Sequence, residues 1–233
     1  MKKYGWLRAA SLILAVVFLS AGPVGAYRFE FTTVSDVSKK VRERFAAVES
    51  YQANFKIVSE KMGKKSYQNG VVKYKSPNKM LVDFVQPYGQ KIIATGNTMW
   101  IYIPSMNVVA EQDLKSQSDS LFSSNTKSGL QRLFTKYHYK FASREQPERQ
   151  PDGSKRYTMM LQQKESRSGY RNLKLWISED YLITKAAGET STGKKVEMEF
   201  TDIRTDVDHP AGIFKFDIPS RVRVIKNPMI SEE

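Results

Sequence analysis

The sequence predicts a mainly β fold of the α+β kind, a curved antiparallel sheet covered by a few short helices. Three observations predict it. From Tyr51 onward, apolar and polar residues alternate at period two over many short runs, the spacing of half-buried strands. Local turn signals separate the runs: Met62-Gly63-Lys64, Pro87-Tyr88-Gly89, Gly96-Asn97 and Thr192-Gly193. Successive strands therefore return antiparallel, as a meander. Helical spacing is confined to one run ahead of the first strand and one interruption later. So little helix leaves the concave side of a curved sheet unfilled, and a ligand could fill it.

The chain begins with an export pattern. Lys2, Lys3 and Arg8 form a positive region, Ala9 to Leu19 an apolar one, and Val24-Gly25-Ala26 supplies small residues at a cleavage site. An uncleaved anchor is the alternative, but the apolar run is short against the ~20 residues of a membrane span. Residues 1–26 are thus expected to be a signal peptide removed after Ala26, and residues 27–233 a single domain in the periplasm. The chain has no Cys, so no cysteine can be acylated near the cleavage site and no disulfide can form. The formal charge is +13. Export argues against nucleic acid and leaves anionic head groups or acidic proteins as candidate partners.

Taken in order, Val37, Val41, Phe45 and Val48 recur at helical spacing, which predicts a helix over 36–49 capped by Ser35. Tyr51, Ala53, Phe55 and Ile57 then share one strand face. Val72 and Tyr74 follow on a second strand, Met80, Val82 and Phe84 on a third, Ile92 and Ile93 on a fourth, and Trp100 and Tyr102 on a fifth. From Asp113 to Ser128 the strands pause in a Ser-, Gln- and Asn-rich stretch. Residues 117–134, with Leu121, Phe122, Leu130, Leu133 and Phe134, are expected to form a lid outside the sheet. Strands resume at 137–141, 157–161, 173–177, 182–187 and 196–200, and Ile213 to Ile218 reads as a last short strand ended by Pro219.

Catalytic constellations are absent. His138 and His209 are the two histidines, and there is no nucleophile elbow, zinc-protease helix or phosphate loop. His138 sits in a strand pattern. Asp206, Asp208 and His209 could meet a cation, but Asp-His-Pro before Ala-Gly is equally a turn. The sequence calls for no enzyme, cofactor or metal. What it has in surplus is apolar area, with aromatics and adaptable methionines such as Met80, Met99 and Met198 on nearly every strand. A closed core could absorb them; so could the wall of a cavity.

The order of these pieces resembles a known family. A helix, then Tyr51-Gln52-Ala53-Asn54-Phe55, then Gly70 to Met80 with Ser76-Pro77-Asn78, then Pro87, then Ile92 to Pro104, and finally Phe214-Lys215-Phe216-Asp217-Ile218-Pro219 are similar to the LolA family of periplasmic lipoprotein carriers. The resemblance implies an unclosed β-barrel with helices as a lid over an apolar cavity. It implies transfer of lipoproteins from an inner-membrane donor transporter to an outer-membrane acceptor. On that basis Phe55, Val72, Tyr74, Met80, Val82, Phe84, Trp100 and Tyr102 are the expected wall for lipoprotein or lipid acyl chains, in a monomer. The family typically places an Arg before the motif's Pro, where it latches the lid; here that position is Ser76, which has no guanidinium fork. Met80 and Val82 also stand where bulky rings are common. A relative carrying another lipid, or a sensor or scaffold built on the same fold, remains open beside the lipoprotein carrier.

Overall fold

The computed structural model describes residues 32–114, 127–165 and 169–227; Thr32–Glu233 form one compact unit. Helix α1 (Val34–Ala47) opens it. Thr33, and not Ser35, is the cap: its Oγ1 accepts from the Asp36 N–H at 3.1 Å, while the Asp36 carboxylate accepts from the Thr33 N–H at 2.9 Å. This reciprocal box starts the helix two residues before the expected position. The same hydrogen bonds from Thr33 hold the Asp36 carboxyl below its usual range.

Six strands follow: β1 (Ser50–Lys61), β2 (Lys64–Lys75), β3 (Lys79–Gln86), β4 (Lys91–Thr95), β5 (Thr98–Ile103) and β6 (Val108–Asp113). Helix α2 (Lys127–Lys136) leads into β7 (Tyr137–Phe141), β8 (Glu148–Arg149), β9 (Lys155–Gln163) and β10 (Tyr170–Ser178). The chain closes with β11 (Ile183–Thr190), β12 (Lys195–Thr205) and β13 (Arg223–Lys226). Turn chemistry explains the early hairpins: Met62 and Gly63 take φ of 50° and 75°, and Gly96 takes 62°, conformations that tight hairpin turns demand.

Among the described residues these thirteen strands make one curved, unclosed sheet in the order β13-β6-β5-β4-β3-β2-β1-β12-β11-β10-β9-β7, with β8 beside β9. The pairing is antiparallel throughout except for β13, which runs parallel to β6. The predicted mainly β, antiparallel fold with few helices is the observed one. Strands β6, β8 and β13 lie outside the expected set. Nor is Ile213–Ile218 a strand: Ala211–Phe214 is a single 3-10 turn, and Phe214 and Phe216 alternate because this segment lies flat on a face of the sheet. An extended chain on a sheet surface has the same period-two pattern as a paired strand, so sequence periodicity cannot separate the two.

One irregularity matters for the site. The β1–β12 register shifts between Gln52 and Asn54, Asp202 takes φ of 51°, and Asn54 Nδ2 donates to Asp202 Oδ2 at 2.7 Å. The bulge inserts one residue into β12, so Phe200 and Ile203 both pack on the same cluster.

Candidate functional site

Register decides which side chains meet. Residues directly opposite across antiparallel strands share a face. Starting from Phe55, the pairs run Phe55–Gly70–Phe84, Ala53–Val72–Val82–Ile92–Ile101 and Tyr51–Tyr74–Met80–Ala94–Met99. These residues form one apolar cluster in which Phe55, Val72, Met80, Phe84, Ala94 and Met99 are buried, flanked by Val82, Ile92, Ile101, Phe200 and Ile203. Six expected wall residues, Phe55, Val72, Tyr74, Met80, Val82 and Phe84, therefore share a face. The Phe55 and Phe84 rings meet edge to face at 5.2 Å across β2 because the residue between them is Gly70. Tyr51 and Tyr74 stack at 5.3 Å. Burial pushes both phenols above the ordinary tyrosine value, and for Tyr74 a hydrogen bond with Ser76 works against the rise.

Trp100 and Tyr102 are not on that face. The turn at Gly96-Asn97 pairs Thr95 with Thr98, which sets Ile93 opposite Trp100 and Lys91 opposite Tyr102. Both rings lie on the outer side, 6.1 and 6.0 Å from the Phe216 ring, and Trp100 packs with Phe216 on a separate cluster of Leu81, Ile93 and Phe214. Trp100 Nε1 donates to Glu111 Oε2 at 3.2 Å. The residues that replace them inside are Met99, which the sequence marks as an adaptable methionine without assigning its face, and Ile101, which it passes over; the two-residue length of the turn is the signal that finds them.

The same face continues beyond β1 through Met198, Ala186, Leu175 and Met159, each opposite the next. Here the two helices cover it. Val37 and Val41 of α1 and Leu130 and Phe134 of α2 are buried against Tyr157, Met159, Leu161, Leu175 and Ile177, with Leu133 partly buried beside them. The predicted segment 117–134 is thus outside the sheet over its described part; Leu121 and Phe122 lie outside the described residues. The helices cap the β7–β11 half, and the predicted wall occupies the β1–β5 half of a single continuous face. Ser76 sits at the β2–β3 turn, where its N–H donates to the Glu49 carbonyl at 2.6 Å and ties this turn to the segment just after α1.

The remaining candidates are structural. The Asp206 N–H donates to the Ser50 carbonyl at 2.9 Å with φ of 59°, and Asp208 pairs with Lys75 at 3.7 Å. His209 is buried, its Nε2 3.1 Å from the Tyr51 carbonyl and its ring edge-on to Phe214. No three His, Cys, Asp or Glu side chains converge on a metal position among the described residues. A polar cleft of about 300 Å³, lined by Asn97, Thr98, Glu111, Asp113, Lys226 and Asn227, lies where β13 meets β6 and has none of the apolar character of the inner face.

Comparison with known proteins agrees with this architecture. The family model described as outer membrane lipoprotein carrier protein LolA matches residues 46–217. An outer-membrane lipoprotein carrier protein of Hahella chejuensis is 26% identical over 216 residues, covering 92% of this chain and 96% of its own. An uncharacterized protein of Methanocaldococcus jannaschii is 22% identical over 219 residues, 93% of this chain, which spans only 60% of that relative's length. Among solved structures, an uncharacterized conserved protein from Thermus thermophilus superposes with a TM-score of 0.55 at 12% identity, covering 82% of this chain and 98% of its own. That structure speaks for the fold alone.

Proposed function

Because this chain belongs to the LolA family of outer membrane lipoprotein carrier proteins, we propose that its inner face binds the acyl chains of lipoproteins, or of another lipid, and carries them through the periplasm toward the outer membrane. In this reading residues 1–26 direct export and are cleaved after Ala26. The protein acts by binding and release, without catalysis. An inner-membrane transporter would hand cargo to it and an outer-membrane protein would accept it.

The observation that carries the reading is the inner cluster itself. Phe55, Val72, Met80, Phe84, Ala94 and Met99 come from five consecutive strands and present an apolar surface without a charged side chain among them. The helices pack over the other half of the face. Burying an acyl chain is worth ~0.8 kcal/mol per methylene, so ~15 methylenes contribute on the order of 12 kcal/mol. A carrier must offset much of that to release its cargo. A cover that gives up packing of its own when cargo enters would supply the offset, and Leu130 and Phe134 of α2 are the packed residues available for it.

The test is native mass spectrometry of the protein purified from the periplasm, together with titration of a fluorescent fatty acid into wild type and Phe55→Asp. Co-purified lipid or lipoprotein, and at least roughly tenfold weaker binding by a variant that still folds, are expected. A carboxylate there must be desolvated against an acyl chain, and because Phe55 is buried the fold of the variant is checked by circular dichroism beside the titration. Equal fatty-acid binding by the two proteins would refute the reading.

A further inference from the structure

The exposed apolar side chains of the β1–β6 meander are not scattered. Met62 is 92% exposed, Tyr88 91%, Val85 66%, Met106 65% and Tyr67 51%. In an up-and-down sheet alternate connections lie at the same end. The β1–β2, β3–β4 and β5–β6 connections therefore share one rim, and all five residues are on or beside them. The opposite connections, at Ser76–Asn78 and Gly96–Asn97, carry no exposed large apolar residue. The β1–β2 hairpin projects beyond β3, which pairs with β2 only from Asn69 on, while β12 stays beside β1 as far as Glu60.

Positive charge gathers at the same rim. Lys61, Lys64 and Lys65 flank Met62 and are exposed. Glu60 stands opposite Lys195 in register, which brings the Lys194-Lys195 turn beside the hairpin. Arg223 pairs with Val108, and its N–H donates to the Asn107 carbonyl at 3.0 Å beside Met106. Against these stand Glu60, Glu189 and Asp83, the last already facing Lys91 at 3.7 Å. At the other end the turns carry Glu179, Asp180, Asp206 and Asp208 beside Lys75 and Lys79, with Lys75 paired to Asp208 at 3.7 Å, so charges of both signs meet there.

We propose that this rim docks on the surface of an anionic lipid bilayer, with Met62, Tyr88 and Met106 entering the interface and the surrounding lysines and arginines contacting lipid phosphates. Apolar tips at protruding turns reach the acyl boundary without exposing backbone. Tyr is suited to the headgroup level, and long basic side chains bury their stems while their charges stay at the phosphates. Charge complementarity selects a bilayer with anionic head groups over a neutral one, and each lysine near such a surface strengthens binding. The surface is separate from the inner face, so docking does not depend on acyl binding there.

Co-sedimentation of the periplasm-purified chain with phosphatidylcholine vesicles, with and without phosphatidylglycerol, tests the proposal. Binding is expected only with phosphatidylglycerol and should fall with added salt. Lys64→Glu/Lys65→Glu should lower the partition coefficient by at least roughly thirty-fold. Met62→Ser/Tyr88→Ser should lower it as well, and both pairs should keep wild-type fluorescent fatty-acid binding in solution. No binding to anionic vesicles, equal binding to both vesicle types, or rim variants that bind like wild type would overturn it. Vesicle binding lost in Phe55→Asp but kept in the rim variants would assign the interaction to the inner face and refute the rim.

Discussion

Replacing Gly70 by Ala is the sharpest probe of how the inner face is assembled. A Cβ built on Gly70 overlaps the Asp83 carbonyl oxygen and falls 2.9 Å from Phe84 Cα and 3.0 Å from Asp83 C. All three are backbone atoms of the neighbouring strand, so no side-chain rotation relieves them. Restoring an ordinary C···O contact of about 3.3 Å requires β2 and β3 to part by about 1 Å. Overpacking of this kind costs about 1–3 kcal/mol, and strained ladder hydrogen bonds add about 1 kcal/mol each. We expect about 3–4 kcal/mol of destabilisation, a fall in Tm of about 10 °C for a domain of this size. The displaced strand also separates the Phe55 and Phe84 rings, so fatty-acid binding should weaken in the protein that remains folded. Thermal unfolding followed by circular dichroism is the assay. Gly212→Ala is the control, because nothing lies within 4 Å of its added methyl. A Gly70→Ala protein that melts with the control would refute the claim that close strand approach at this glycine builds the face.

Other outcomes follow from the same contacts. Phe214→Ala, which empties a site only 1% exposed on the outer face, should cost about 3–5 kcal/mol in urea unfolding yet leave fatty-acid affinity unchanged. Trp100→Asp should likewise damage folding more than binding, whereas Met80→Asp, at a buried inner position, should lower both; fatty-acid affinity unchanged in Met80→Asp would remove that residue from the wall. Thr33→Ala removes the α1 cap and should cost about 1 kcal/mol, read from the urea midpoint at unchanged slope. Burial raises the phenols of Tyr51, Tyr74, Tyr137 and Tyr170 above 10.0 in the folded protein, so the folded state holds these protons to higher pH than the unfolded one. Their contribution is full below about pH 10 and is lost as pH rises above it. Urea unfolding should show stability falling in that alkaline window, and a flat profile would refute the assignment.

How much of this is legible in the sequence depends on the kind of information each residue carries. Strand existence is legible from β1 to β5, because alternation and turn glycines such as Gly63 and Gly96 report the same local geometry. Sharing of a face within a strand is legible too, which is why Val72 with Tyr74 and Met80 with Phe84 fall together. The relation between strands cannot be read from alternation alone. Trp100 and Tyr102 alternate as faithfully as Met99 and Ile101, and only the turn length says which pair faces inward. The bulge at Asp202 is a similar case, since a single added residue reverses the faces beyond it without any change in composition. A start of α1 at Ser35 overlooks Thr33 and Asp36, which stand at capping-box spacing. Phe214 and Phe216 read as a strand because flat packing on a sheet imitates pairing at its edge.

The position of β12 beside β1 has a consequence for the order in which the chain is made. Apart from β13, which joins β6 at the far edge, every neighbour of the first meander follows within a short stretch of sequence, but Tyr51 must find Thr205. Until nearly the whole polypeptide has emerged, β1 offers an unpaired row of amides along Gln52, Asn54, Lys56 and Val58, the residues that alternate with those bonded to β2. A bare edge of this kind invites pairing with another molecule. Lys56 and Glu60, placed on the same strand, are the charges that make such an encounter less favourable. Folding is accordingly expected to proceed as two locally assembled halves joined late along the β1–β12 seam, with the long loop closure at that seam setting the rate.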